Sequence, residues 1–406
     1  PAATNSLGAN KVLVIDGVVP TVSSITSSTA NGSYGIGDSI NVTVRFSEPV
    51  TLTHYEGSTA IEFWIRLNTG ASIIISNWNS YLDSVSSTDG STWGDYVVSA
   101  GHTTTDLNVD SVDLSSSIYL EDLAGNKLTS GSIPSGVNLA DNKALVVDGI
   151  VPTVSSVSST SDNGTYKLGD VIPITITFSE AVTVTGTPQL TLETGSTDAV
   201  VNYASGSTGT TLTFNYTVAA GNASSDLDYT STTALALNSG TINDAAGNAA
   251  TLTLASLTAT NSLGANKSLV IDGVVPATPI GLAAADGNTS ITLSWTANTD
   301  SDLASYKVYG GTSASPTTLL ATISAGTETY THTGLTNGTT YYYRISAVDN
   351  AGNEGAKTSD VSTSPKPQKY TVKTDGTGNY TVIQTAIDAT TDGDTILVYD
   401  GTFTEN

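Results

Sequence analysis

Residues 169–183 read GDVIPITITFSEAVT, and residues 37–51 read GDSINVTVRFSEPVT. Both segments alternate large apolar residues with polar ones, which is the pattern of a β-strand with one buried face. In the first segment the apolar positions are Ile172, Ile174, Ile176 and Phe178. The polar positions between them predict a sheet that packs on one side and faces water on the other.

The two segments belong to a longer internal repeat. From Pro20 and from Pro152 the chain aligns without gaps over 32 residues, so that equivalent positions lie 132 residues apart. The phrase NSLGANKVLVIDGVVP at 5–20 returns at 261–276 with fifteen of sixteen letters identical, and a looser copy occupies 138–152. Repetition on this scale predicts tandem modules.

The repeated phrase marks the end of each module, because it predicts a last strand followed by a linker. Many short strands separated by Gly, Asn and Asp turns, without a helical period, predict an all-β chain built from β-sandwiches. We therefore predict five regions. They are the last strand of a preceding repeat at 1–19, unit 1 at 20–151, unit 2 at 152–275, a third sandwich at 276–365, and a linker with a different β-fold at 366–406.

The composition limits the function classes. The chain has 406 residues, with 13 Lys and Arg against 37 Asp and Glu, a formal charge of −24. This balance argues against nucleic acid as a partner, because phosphate binding needs basic side chains. Cysteine is absent, so a disulfide framework or a thiol nucleophile is excluded, and no apolar run is long enough for membrane insertion.

The repeated motifs carry a resemblance to a known family. The pattern GDxIxxTxxFSExVT, followed by DxAGN and LVxDGxxP, resembles the bacterial immunoglobulin-like repeats of large surface adhesins and secreted proteins. This resemblance covers about 20–272. It implies tandem immunoglobulin-like β-sandwiches in a rod, a spacer role, and calcium at the ends of the modules.

The third sandwich resembles a fibronectin type III domain. Trp295 stands where the buried tryptophan of the second strand belongs, and Tyr306 stands where the third strand begins. Tyr341 matches the tyrosine corner, whose hydroxyl ties a loop to the backbone. We interpret DNAGN at 349–353 as a turn, with calcium binding there as the weaker alternative.

The last region, 366–406, resembles the first turn of a right-handed parallel β-helix of the pectin methylesterase and pectate lyase kind. IQTAID at 383–388 would be its capping helix, with Ile383, Ala386 and Ile387 on the apolar side. We expect a truncated β-helix start, because one coil cannot bury a core without stacked neighbours. The catalytic carboxylates of such enzymes lie on later coils.

Acidic residues cluster near the ends of the units, and they are the candidate ligands for Ca²⁺, which takes six to eight oxygens. The alternative is that Asp-Gly and Gly-Asn serve only as turns. The predicted metal ligands of unit 1 are Glu48, Asp106, Asp122, Asn126 and Asp148. Those of unit 2 are Glu180, Asp226, Asp228, Asp244, Asn248 and Asp272.

Catalytic and glycan sites are weaker interpretations. The three histidines, His54, His102 and His332, show no catalytic or metal-binding spacing. Unit 1 has an aromatic-rich segment with Trp64, Trp78 and Trp93. Exposed aromatics can stack on sugars, but the alternation of Ile61, Phe63 and Ile65 with Glu62 and Trp64 favours core filling, and Trp78 is the one we expect to be exposed.

The sequence therefore predicts a non-enzymatic, extracellular or cell-surface spacer, either an adhesin-like stalk or a filament segment. One alternative is an accessory region of a β-helix polysaccharide-degrading enzyme. A second is a filament subunit in which residues 1–19 complete a neighbour's sheet by strand addition. The expected partners are neighbouring repeats or copies of the same protein, with glycans or other surface proteins as further candidates.

Overall fold

The computed structural model describes residues 15–54, 63–75, 84–87, 90–114, 118–390 and 393–403. Strands dominate this part of the chain, so the predicted all-β class is confirmed. The described helices are short, and none of them is long and apolar enough to cross a membrane. They are Leu139–Asn142, Leu263–Asn266 and Ile383–Ala389.

The described residues of unit 1 form four three-stranded sheets, in the orders β1-β3-β8, β10-β5-β6, β11-β4-β7 and β2-β12-β9. The alternating segment is β3, and its apolar face (Ile40, Val42, Val44 and Phe46) is buried in one core. The strands are β1 Val22–Thr26, β2 Gly32–Tyr34, β3 Ser39–Phe46, β4 Val50–His54, β5 Phe63–Leu67, β6 Ser72–Ile75, β7 Ser84–Ser87, β8 Ser91–Val97, β9 Thr103–Thr104, β10 Val109–Leu114, β11 Ile118–Glu121 and β12 Leu145–Asp148.

Unit 2 follows the same plan around a second core. The long strand β15 pairs with β13 and β18 at its start and with β21 at its end, and a small sheet has the order β14-β22-β19. The strands are β13 Val154–Ser159, β14 Gly164–Lys167, β15 Val171–Thr185, β16 Gln189–Leu192, β17 Ala199–Ser205, β18 Gly209–Thr217, β19 Ala223–Ser224, β20 Leu235–Ala236, β21 Thr241–Asn243 and β22 Leu269–Asp272.

The repeated phrase forms a short helix, the last strand and the linker. In unit 2 the last strand β22 runs parallel to β14 and antiparallel to β19, as β12 does with β2 and β9 in unit 1. The helix is tied to the first strand, because the side-chain amide of Asn266 donates to the carbonyl of Val157, and Asn142 donates to Ile25. The phrase therefore recurs because it closes the sandwich.

The linker glycine packs against the module that precedes it. The N–H of Gly273 donates to the carbonyl of Asn222, and its own carbonyl accepts from Gly221. A Cβ atom on Gly273 would overlap the carbonyl oxygen of Ala219. Gly149 makes the equivalent bonds to unit 1, with the same close backbone approach.

The third sandwich has two sheets, in the orders β23-β24-β27 and β26-β25-β28-β29. Trp295 is buried and meets Tyr306 edge to face, and the hydroxyl of Tyr341 accepts the N–H of Thr336, as the tyrosine corner requires. The strands are β23 Ile280–Gly287, β24 Ser290–Thr296, β25 Leu303–Gly311, β26 Leu319–Ser324, β27 Thr329–Thr333, β28 Tyr341–Asp349 and β29 Val361–Thr363.

The C-terminal region contains one parallel pair of strands, β30 (Lys369–Val372) and β31 (Thr395–Val398). The helix Ile383–Ala389 lies between them in sequence and buries Ala386, while Ile387 is 49% exposed. A parallel pair of this kind is compatible with a β-helix start, which stays a prediction.

The aromatic residues of unit 1 fall on both sides of the sheets. Phe63 and Ile65 are fully buried, which agrees with core filling, while Trp64 is half-buried. Trp93 is 47% exposed. Trp78, Ile61 and Glu62 lie outside the described residues, as do residues 1–14 of the predicted orphan strand.

We expect Gly273→Ala to destabilise unit 2 by about 1–3 kcal/mol, because the new methyl group forces the linker away from the carbonyl of Ala219. Hydrogen exchange of β22 and β19, measured in the full chain by mass spectrometry, should become faster. Gly32→Ala is the matched control, since its Cβ would meet only the Tyr34 ring at 4.0 Å. Equal exchange in the two variants would contradict the proposed packing.

A second prediction concerns Glu354 in the third sandwich. Burial raises the pKa of Glu354, but hydrogen bonds from Lys307, Tyr309 and Ser346 outweigh it and lower the pKa from 4.5 to about 2. Because the folded pKa lies below the unfolded one, this stabilisation is present above about pH 4.5 and is lost as the pH falls toward 2.

Glu354→Gln should therefore lower the free energy of unfolding of this sandwich by about 1–3 kcal/mol at neutral pH. It should also flatten the pH dependence of stability between about pH 4.5 and 2. Both effects are measured from the free energy of unfolding, which hydrogen exchange of the β25 and β28 amides gives at each pH. Tyr309→Phe, which removes a single donor, should give a smaller loss, and an unchanged acid limb in Glu354→Gln would refute the assignment.

Candidate functional site

Three turns with the same sequence pattern each lie beside the linker that enters their sandwich. We call them the junction turns, and they span 122–126, 244–248 and 349–353. In each turn the first aspartate is buried and accepts the backbone N–H of the asparagine four residues later, at 2.9, 2.8 and 2.8 Å. That asparagine returns a side-chain N–H to the same carboxylate. The pair fixes the direction of the asparagine amide.

The asparagine of each junction turn binds the linker that enters its module. The Asn248 amide donates to the carbonyls of Asp148 and Ile150, at 2.8 and 3.2 Å. Asn353 donates in the same way to the carbonyl of Asp272, at 3.0 Å. Asn126 donates to the carbonyl of Asp16, at 3.3 Å. One side chain therefore holds each linker against the module that follows it.

The side-chain oxygens of two of these asparagines also reach the preceding module. Asn248 accepts the N–H of Ile36 in unit 1 at 2.7 Å, and Asn353 accepts the N–H of Leu168 in unit 2 at 2.9 Å. Ile36 and Leu168 lie in equivalent loops, 34–38 and 166–170, which we call the Gly-Asp loops. The amide thus bridges two modules and their linker.

Three carboxylates gather beside each junction turn. Each group offers three oxygen atoms that lie within 4.8 Å of one another. Every group combines the linker aspartate, the aspartate of the junction turn and an acid from a third position in the following module. The groups are Asp16, Glu48 and Asp122; Asp148, Glu180 and Asp244; and Asp272, Asp302 and Asp349.

Like charges make these groups electrostatically unfavourable. Burial raises the pKa of Glu180, and the neighbouring charges of Asp148 and Asp244 raise it further. The pKa of Glu48 is raised by burial and then by Asp122 and Asp16.

The two other shifted carboxyls show the balance with hydrogen bonding. Burial raises the pKa of Asp272; its hydrogen bond from Val274 opposes this, and the charges of Asp349 and Asp302 add to it. At Asp122 burial also acts to raise the pKa, but the hydrogen bonds from Asn126 and the turn backbone outweigh it and lower the pKa. The pKa of each of these four acids is therefore shifted by burial, by neighbouring carboxylates or by hydrogen bonds at the junction.

The structure groups the predicted ligands differently from the sequence. Asp148 lies with Glu180 and Asp244 of unit 2, and not with Glu48 and Asp122 of unit 1, because the linker is bound by the module that follows it. Asp272 likewise lies with the third sandwich. Asn126 and Asn248 act as hydrogen-bonded bridges, since their side-chain N–H groups point at the linker carbonyls and the turn carboxylates.

The remaining predicted ligands serve the backbone elsewhere. Asp106 accepts the N–H of Leu145, and Asp226 accepts the equivalent N–H of Leu269. Asp228 accepts backbone N–H groups of its neighbour and of the Leu263–Asn266 helix. None of these three joins the carboxylate groups found among the described residues.

Sequence reasoning missed Asp16, Asp302 and Asp349. The signal for Asp349 was present, because DNAGN at 349–353 repeats the junction-turn pattern of the two units, but we favoured a turn over calcium binding there. Asp16 belongs to an IDG linker, like the one that contains Asp272. Asp302 has no signal in its local sequence, and only the fold brings it beside Asp349.

Carboxylate groups of this kind suit a hard divalent cation. Ca²⁺ prefers oxygen ligands and takes six to eight of them, of which each group supplies three carboxylates. Backbone carbonyl and water oxygens would complete the set. The residues present therefore fit a calcium ion, and calcium binding stays a prediction.

Comparison with known proteins identifies one of the modules. Residues 277–364 match the family described as Fibronectin type III domain. Similar proteins include Exoglucanase B of Cellulomonas fimi, 42% identical over 100 residues that cover 23% of this chain and 8% of that protein. Chitinase A1 of Niallia circulans is 43% identical over 93 residues, covering 22% of this chain and 12% of that protein. The chain thus spans only a small part of the curated relatives that it matches.

Among solved structures, an Fn3-like protein from Clostridium thermocellum is 35% identical and is covered over 98% of its length. It covers 23% of this chain, with a TM-score of 0.20. The family match covers the sandwich that buries Trp295 and ties Tyr341 to Thr336. Residues 277–364 of this chain are a fibronectin type III domain.

Proposed function

We propose that this chain is a non-catalytic spacer of a secreted or cell-surface multidomain protein, in which tandem β-sandwiches form a stiff rod. The single observation that carries the proposal is the bridging asparagine. Asn248 and Asn353 each bind the preceding module, the linker and their own module through one buried amide. Such joints restrict bending between modules. A spacer needs this stiffness, whereas a catalytic cleft does not.

The relatives support a spacer in a secreted protein. The matched exoglucanases and the chitinase share with this chain only segments that cover 8–13% of their length. A fibronectin type III domain is a non-catalytic module, and the enzyme names belong to the whole relatives. An adhesin-like stalk, with glycans or other surface proteins as partners, is the finer form of this proposal.

The second candidate is an accessory region of a β-helix polysaccharide-degrading enzyme. The parallel strands β30 and β31 with the helix between them favour it, because a parallel pair with this connection suits the start of a solenoid. This reading keeps the spacer role for the sandwiches. The filament alternative rests on residues 1–19, most of which lie outside the described part of the chain.

We also propose that calcium stiffens the junctions. A bound cation would offset the mutual repulsion of the three carboxylates. Because it would bind only the folded joint, it would also stabilise that joint by mass action. The chain's formal charge of −24 adds a general attraction for cations. The asparagine bridge then fixes the relative direction of the two modules, and the cation offsets the repulsion among the three carboxylates.

The rod predicts a large radius of gyration in solution. Three sandwiches with strands of about ten residues at about 3.3 Å per residue span about 100 Å, and a thin rod of that length has a radius of gyration of about 29 Å. A compact domain of this length would have a radius of about 22 Å. Small-angle X-ray scattering in millimolar calcium should give the larger value.

The joint variants sharpen this experiment. Asn248→Ala combined with Asn353→Ala should lower the mean radius and broaden its distribution, because both bridges are lost. Asn350→Ala is the matched control, since it removes an exposed amide from a junction turn. A radius near the compact value for the unmodified chain would reject the rod.

Calcium makes a separate prediction through Glu180. Because its folded pKa is raised, the charged carboxylate destabilises unit 2 at neutral pH, and stability in chelator should rise as the pH falls through that pKa toward 4.5. Glu180→Gln should therefore raise stability in chelator and reduce the gain on adding calcium. For the unmodified site, that gain is about 1.4 kcal/mol at tenfold excess over Kd.

Thermal unfolding with calcium and with chelator measures both effects, resolved for unit 2 by hydrogen exchange. Asp198→Asn is the control, because it removes one exposed carboxylate from the same unit and leaves the group of Asp148, Glu180 and Asp244 intact. Identical unfolding of the unmodified chain in calcium and in chelator would remove the metal from the proposal and leave the rod.

A further inference from the structure

The first junction turn, 122–126, has the same internal geometry as the other two. Asp122 accepts the N–H groups of Ala124 and Asn126 at 2.8 and 2.9 Å and a side-chain N–H of Asn126 at 2.7 Å. Asn126 also donates to the linker carbonyl of Asp16. The turn is therefore built and oriented as a joint.

In the part of the chain that the structure describes, the outer side of this joint has fewer contacts than the other two joints. Among the described residues, no donor binds the side-chain oxygen of Asn126, whereas Ile36 and Leu168 bind those of Asn248 and Asn353. Asn126 is half-buried, while its two counterparts are only 5% and 3% exposed.

The linker glycine gives an independent observation. A Cβ atom on Gly149 or Gly273 would overlap a backbone carbonyl of the preceding module. A Cβ atom on Gly17, which holds the same place in the first linker, would meet nothing within 4 Å among the described residues. Within the described ranges, the contacts that Asn126 and Gly17 do not make are therefore those that a preceding module supplies at the other two joints.

We infer that the turn 122–126, together with the linker at Asp16–Gly17, is a docking site for the Gly-Asp loop of a further immunoglobulin-like repeat. This inference rests on the proposed rod and extends it by one module. The required partner group is a backbone N–H at the position of Ile36 or Leu168. Both known loops have a positive-φ glycine and an aspartate that bonds back to the loop backbone.

The occupant must be another repeat, because both Gly-Asp loops of this chain are already engaged by Asn248 and Asn353. The sequence that leads into the joint at Asn126, 5–20, matches 261–276 in fifteen of sixteen positions. The segment 5–20 therefore has the sequence expected at the end of a repeat similar to unit 2. The same kind of loop already fits two different sandwiches, so the fit depends on backbone groups and one amide.

The test rebuilds that repeat on the full chain. Residues 152–260 are fused directly before residue 5, so that 5–20 completes a second copy of unit 2. Hydrogen exchange by NMR then follows the N–H of the grafted leucine that corresponds to Leu168. We expect its exchange to be at least tenfold slower than in the same fusion carrying Asn126→Ala, and the slow exchange of the core amides of unit 1 shows that unit 1 is folded in both fusions.

Two further variants make each outcome decisive. Asn248→Ala should accelerate exchange of the Ile36 N–H in the existing joint, and Asn350→Ala should leave both amides unchanged. Rapid exchange of the grafted amide regardless of Asn126, with a normal response to Asn248→Ala, would overturn the docking inference and leave the rod standing. No response to Asn248→Ala either would overturn both proposals.

Discussion

The hydrogen-bonded pair of aspartate and asparagine in each junction turn is the interaction on which the assembly of modules depends. An asparagine side chain offers two N–H donors and one carbonyl acceptor, and a bridge needs both kinds of group. The aspartate takes one N–H and fixes the amide plane, so the other N–H meets the linker and the oxygen meets the preceding module. Leaving such groups buried without partners would cost about 1–3 kcal/mol each. A joint whose amide is buried is therefore stable only when all of these groups have partners.

The Asp-Gly linker divides its two residues between neighbouring modules. The aspartate faces forward, where its carbonyl accepts from the asparagine and its carboxylate joins the acids of the next sandwich. The glycine faces backward, where only a residue without a Cβ atom can approach the carbonyls of the preceding sandwich. The glycine at 149 or 273 cannot be exchanged without loosening the contact of the linker with the preceding module, which accounts for the recurrence of glycine in these two linkers.

The sequence predicts the strands well because alternation directly reports burial. Ile172, Ile174, Ile176 and Phe178 of β15 and the equivalent residues of β3 lie in the cores, and the repeated phrase contains the last strand and linker that we expected. The carboxylate groups were harder to predict, since local sequence does not reveal which module a linker aspartate faces. The role of Asn248 was hard to predict for the same reason. An amide near carboxylates suggests a metal ligand, and only the position of the Ile36 N–H shows that Asn248 bridges two modules. Asp302 comes from a loop whose position depends on the whole sandwich.

The joint recurs between unlike modules for a physical reason. Unit 2 and the fibronectin type III domain have different strand orders, yet Leu168 binds Asn353 as Ile36 binds Asn248. The contact uses a backbone N–H and a five-residue turn, so it makes few demands on the cores behind it. Its cost is electrostatic, because drawing the linker aspartate toward the turn also gathers three carboxylates. A β-sandwich that presents one such turn and tolerates that charge can therefore be added to the row without changes to its interior.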